Sequence, residues 1–141
     1  MLKIVIDTSV YIPFIRKGIY VPQIEREGAV IYMSSVVIQE LYAGAFDPKV
    51  VKALDKVYRV FTKTGRLIVP TKENWRETGK IMAMMGKRYG FVHLSLARLL
   101  GDILISLSAY EVGASVVTRD RRHFSLIQEF KRIRLIVDSE A

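Results

Sequence analysis

Four acidic residues stand where they could do chemistry: Asp7 in "KIVIDTSV", Glu40 in "SSVVIQELYAGA", Asp102 in "GDILISLSAYEVG" and Asp120 in "ASVVTRD". Asp102 and Asp120 bracket the most apolar part of the chain. An isolated carboxylate in such surroundings is costly, and it takes up a proton or finds a partner. A helix from Asp102 to Gly113 runs out roughly 16 Å. A strand over 114–118 returns about the same distance, so the two acids should meet at one edge of a sheet. Asp7 ends the first strand, and Glu40 lies in the helix after the second, where its longer side chain can reach back. All four acids therefore converge on the carboxyl edge of the sheet. Carboxylates held so close repel one another, and a divalent cation relieves the repulsion. Hard oxygen ligands without His or Cys suit Mg²⁺ or Mn²⁺, which can hold a phosphate and present a nucleophilic water.

Each acid alone has a plainer explanation. Asp102 could cap a helix, Asp7 could be a turn residue, and Glu40 could be an ordinary helical surface residue. Asp120, within "RDRR", could be half of a surface ion pair. Their joint placement favours the cluster.

The elements that position them alternate between strand and helix. Residues 3–7, 29–33, "RLIVP", "ASVVTRD" and 133–137 read as strands. Thr8 or Ser9 is expected to cap a first helix kinked at Pro13, and Ser34 or Ser35 the second. Asp47 and Pro48 start a third helix with an apolar stripe of Val50, Leu54, Val57 and Phe61. "TKENWRETGKIMAMMGKRYG" gives a fourth, with Trp75, Ile81, Met82 and Met85 near one face. "HLSLARLLGDILISLSAYEVG" gives a fifth, expected to break at Gly101. This alternation argues for an α/β fold with a mainly parallel sheet, whose ligands bind beyond the carboxyl ends of the strands.

The chain has 141 residues, expected to form one domain over 1–141, with a net charge of +8 from 22 Lys and Arg against 14 Asp and Glu. The basic excess suits a polyanion such as nucleic acid. There is no Cys, which excludes disulfides and thiolate sites and fits a cytoplasmic protein. No signal peptide or membrane span is expected. Arg119, Arg121, Arg122 and His123 flank the proposed site and could contact an RNA backbone or form a solvated loop, as could Arg16 and Lys17. Tyr11 could stack on a base or pack in the core. The Met-rich face of the segment 47–88 suits core packing or a docked partner. His93 is given no metal role.

In order and spacing these motifs resemble the PIN domain signature: an Asp after the first strand, a Glu in the second helix, an acid on a later long helix and another after the following strand. The likeness covers Met1 to about Val137 and is greatest to VapC-type toxins of toxin–antitoxin pairs. It implies a PIN-like three-layer α/β/α sandwich and a Mg²⁺- or Mn²⁺-dependent endoribonuclease, with a small antitoxin partner and a homodimeric state. It implies Asp7 and Asp102 as metal ligands, Glu40 holding the metal or orienting water, Asp120 as fourth acid and Thr118 in support. Many relatives carry an acid directly before the Phe of "RDRRHF", where this chain has His123. Either Asp120 replaces that acid or the site runs on three. The rival readings are a PIN-like RNA binder that does not cut and, from another class, a phosphoacceptor receiver domain. The receiver lacks support, because it needs paired acids after the first strand and a late Lys.

Overall fold

The computed structural model describes residues 1–17, 25–26, 28–91 and 95–138. The described residues form a six-stranded sheet. At its centre β1 (Leu2–Ile6) pairs in parallel with β3 (Ala29–Ser34) on one side and β5 (Ser115–Thr118) on the other. A strand flanked on both sides and covered on both faces reads as a continuous apolar run, and Ile4, Val5 and Ile6 are buried. β6 (Leu135–Val137) extends the parallel array beyond β5. The outer edge of β3 is shared by two short strands. β2 (Glu25–Arg26) pairs antiparallel with its beginning, and β4 (Leu67–Ile68) pairs in parallel with its end.

Helices on both faces complete a three-layer α/β/α sandwich. α1 (Thr8–Ile15), α2 (Ser35–Ala43) and α3 (Pro48–Lys63) pack on one another, and α5 (Leu96–Glu111) packs on the sheet and against α4 (Lys72–Tyr89) and α6 (Arg121–Gln128). Their ends follow local chemistry. Ser34 Oγ accepts the N–H of Val36, Asp47 Oδ1 accepts that of Lys49, and Pro48 occupies the first turn of α3. The single Asn of the chain, Asn74, closes a reciprocal capping box with Thr71 at the head of α4. The expected α3 stripe of Val50, Leu54, Val57 and Phe61 is buried. Among the described residues no helix is long and apolar enough to cross a membrane.

Several local expectations are corrected. α1 starts at Thr8, earlier than expected, so Asp7 holds the N-cap position and Thr8 and Ser9 lie inside the helix. α5 runs unbroken through Gly101. Trp75 is exposed, because the buried stripe of α4 falls one residue earlier on Asn74, Thr78, Ile81 and Met85. Tyr11 is buried in the core and does not offer a stacking face. The segment after Asp120 is not a loop: it is α6, with Phe124 and Ile127 buried. His93 lies outside the described residues.

An acidic cluster at the carboxyl edge of the sheet

β1 and β5 lie side by side in parallel, and α1 and α6 follow their carboxyl ends, the edge at which α/β folds bind ligands. A cavity of about 420 Å³ lies there, and Asp7, Glu40, Asp102 and Asp120 all line it, with Arg98, Thr8 and Ser9.

Asp7 is held by the sheet itself, since its N–H donates to Val117 O at 2.8 Å. Although it occupies an N-cap position, its side chain makes no capping bond. Instead Oδ2 accepts hydrogen bonds from Ser9 Oγ and Thr118 Oγ1, both at 2.8 Å. Each hydroxyl in turn accepts a backbone N–H, Ser9 from Arg119 and Thr118 from Asp120. The two hydroxyls thus tie the β5–α6 turn to the end of β1.

Glu40 reaches back from the second turn of α2, and Thr8 Oγ1 donates to its Oε1 at 2.8 Å. Its Oε2 lies over Gly101, where an added Cβ would approach to 3.3 Å. The glycine therefore lets α5 pass close beneath the carboxylate. Burial pushes the Glu40 carboxyl above its ordinary range, aided by Asp7 and opposed by the Thr8 hydrogen bond and Arg98.

Asp102 is not a cap. It sits well inside α5 and is only 6% exposed. Burial, with repulsion from Asp7, Glu40 and Asp120, raises its carboxyl to about 8 against a weaker opposing effect of Arg98. Its Oδ2 is buried and makes no hydrogen bond. Asp120 caps α6 by accepting the His123 N–H, and its Oδ2 pairs with Arg98 at 3.1 Å. Asp102, Asp120 and His123 each bring a ligand atom within 4.8 Å of the others.

Three contributors were not read as site residues in the sequence. Arg98 carried a usable signal, because it precedes Asp102 by four residues on one helix and must share its face. Thr8 and Ser9 read only as helix caps, although their hydroxyls serve the acids. Arg121 and Arg122 are exposed on the first turn of α6, and the half-buried Arg119 lies 3.9 Å from Asp138.

The donor set tests well against a divalent cation. Carboxylates crowd one cavity, and Asp102, one of the two that are buried, keeps an unbonded oxygen. Removing that oxygen from water without a partner is expensive, and a cation is the partner that would also offset the repulsion. Fold and site together define an α/β protein with a carboxylate-lined pocket suited to a metal ion.

The sequence matches the PIN domain family over residues 4–129, and the chain belongs to that family. Its fold is similar to that of the DNA-bound VapBC complex of Salmonella typhimurium, at 23% identity and a TM-score of 0.63, covering 97% of this chain and 98% of that one. It is similar to VapBC-1 from nontypeable Haemophilus influenzae, at 18% identity and a TM-score of 0.60 over 96% and 98% of the two chains. FitAcB from Neisseria gonorrhoeae shows 16% identity and a TM-score of 0.58 over 94% and 96%. No curated protein matches it in sequence.

Proposed function

We propose that this chain is a metal-dependent endoribonuclease that hydrolyses RNA phosphodiester bonds, and that it is the toxin of a toxin–antitoxin pair. The observation that carries the reading is the set of four carboxylates, drawn from four segments, around one cavity of a basic chain. Membership of the PIN family supports nuclease chemistry, and a structural likeness named as a member of the VapBC family of toxin–antitoxin systems supports a small antitoxin partner. A homodimer and a cytoplasmic location accompany this reading.

Asp7, Asp102 and Asp120 would hold Mg²⁺ or Mn²⁺. Such an ion supplies an activated water and neutralises charge on the phosphate. Glu40, with Oε1 fixed by Thr8, can take a proton from the attacking water, a task suited to a carboxyl raised by burial. Arg98, 3.1 Å from Asp120 Oδ2, offsets part of the cluster's negative charge. Arg119, Arg121 and Arg122 would bind phosphates along the RNA and position it without reading its sequence.

The test is cleavage of RNA by purified protein with and without EDTA. Cleavage should require Mg²⁺ or Mn²⁺, and Asp7→Asn should slow it by about a hundredfold or more, as expected for loss of a metal ligand. RNA binding without cleavage would favour the non-cutting alternative, and cleavage that survives EDTA would sink the metal mechanism.

A further inference from the structure

His123 is where the cluster departs from an all-oxygen set. Its Nδ1 lies 3.0 Å from Asp120 Oδ2 and 3.4 Å from Asp102 Oδ2. Neither approach is aligned as a hydrogen bond: Nδ1 and Asp102 Oδ2 are both shielded from solvent and both lack a hydrogen-bond partner. Asp102 is more than nine-tenths buried, at 6% exposed, so its free oxygen cannot be satisfied by bulk water. Asp120 does not need the imidazole as a counter-charge, because Arg98 already stands 3.1 Å from the same Oδ2. Buried donors this close and unbonded call for a shared third partner.

The separations suit an ion. Two donors on one cation, with bonds of about 2.1 Å, lie about 3.0 Å apart at a right angle and about 3.4 Å apart at a tetrahedral angle. The backbone sets the residue beside Asp120. Asp120 Oδ1 caps α6 by accepting the N–H of His123 itself, so one residue fixes the helix start and the nitrogen beside its own second oxygen.

We propose that His123 Nδ1 is a direct ligand of the site's cation beside Asp102 and Asp120, and that this nitrogen shifts the site from Mg²⁺ toward first-row transition ions. Mg²⁺ favours oxygen ligands, whereas imidazole suits the transition metals. The inference rests on reading the cluster as a metal site, as above, but not on the identity of the substrate.

Mn²⁺ is the probe. In metal-stripped protein reloaded with Mn²⁺, pulsed electron paramagnetic resonance should show coupling to a directly bound nitrogen. The chain has two histidines, His93 and His123. The coupling should persist in His93→Gln and vanish in His123→Gln. Calorimetric titrations should show the Mn²⁺-to-Mg²⁺ affinity ratio falling about tenfold in His123→Asp, which exchanges nitrogen for oxygen. Circular dichroism checks the fold of each variant. If His123→Gln does not fold, persistence of the signal in His93→Gln still assigns it to His123. No nitrogen coupling in the wild type, coupling lost in His93→Gln, or an unmoved ratio in folded His123→Asp would overturn the proposal. RNA cleavage is measured separately. Nitrogen coupling without cleavage removes the ribonuclease reading and leaves this one, and cleavage without coupling does the reverse.

Discussion

Thr118 and Asp7 are joined by a 2.8 Å hydrogen bond across 111 residues of sequence, and the same Thr118 oxygen accepts the N–H of Asp120. One hydroxyl therefore sets both an acid at the end of β1 and the start of α6. Thr118→Val keeps the branched shape and removes both bonds. It should lower stability by about 1–3 kcal/mol, because the Asp120 N–H loses its partner, and should depress RNA cleavage. Thr118→Ser should retain most of both. Urea melts and a cleavage assay check this, and a valine variant as stable and active as the wild type would deny the link any role.

The Asp102 carboxyl titrates near 3.8 when unperturbed and is raised to about 8 in the fold. The folded state thus holds a proton that the unfolded chain releases. That contribution to stability is full below about pH 4 and is lost as pH rises to about 8. In EDTA the protein should lose up to a few kcal/mol across this window. Asp102→Asn, neutral throughout, should flatten the slope and melt at or above the wild-type temperature at neutral pH. Mg²⁺ should stabilise the wild type by mass action and the variant less. Melts at several pH values decide it, and equal Mg²⁺ responses would mean that Asp102 is not a ligand.

Gly101 lies inside α5 beneath Glu40. Gly101→Ala gains helix propensity of about 1 kcal/mol, but the new methyl sits 3.3 Å from Glu40 Oε2 and 3.6 Å from Val36. The carboxylate end can yield by a few tenths of an ångström, so stability should hold or rise while cleavage falls. Equal rates for variant and wild type would show that the position of Glu40 is not critical.

Arg121 and Arg122 project from the first turn of α6 with exposed side chains. If each meets a phosphate, replacing both with Ala should shallow the salt dependence of RNA affinity by about one to two log units per log salt. Binding measured across a salt series reads this directly, and an unchanged slope would place both side chains away from RNA.

The sequence made the parallel sheet and the convergence of the acids legible because both depend on chain order. A helix followed by a returning strand must bring its ends to one edge, whatever the side chains do. The α3 stripe was legible for a similar reason, since one helix face decides it. What escaped depended on partners distant in sequence. Gly101 looked like a helix breaker because nothing local shows Glu40 overhead. Thr8 and Ser9 looked like caps because Glu40 and Thr118 are not their neighbours. Trp75 was placed one step round the helix because Asn74 and Thr78, polar by type, take the buried face.

The Thr118–Asp7 link also sets a clock. β1 is made first, yet its partner β5 is made 111 residues after Asp7. At roughly 5–20 residues per second, synthesis leaves an interval on the order of ten seconds in which the first acid exists without the hydroxyl that orients it. A nascent chain, or a fragment ending before β5, cannot assemble the cluster. The chemistry would thus switch on only when the chain is nearly complete, and a protective partner translated alongside it would have that interval to arrive.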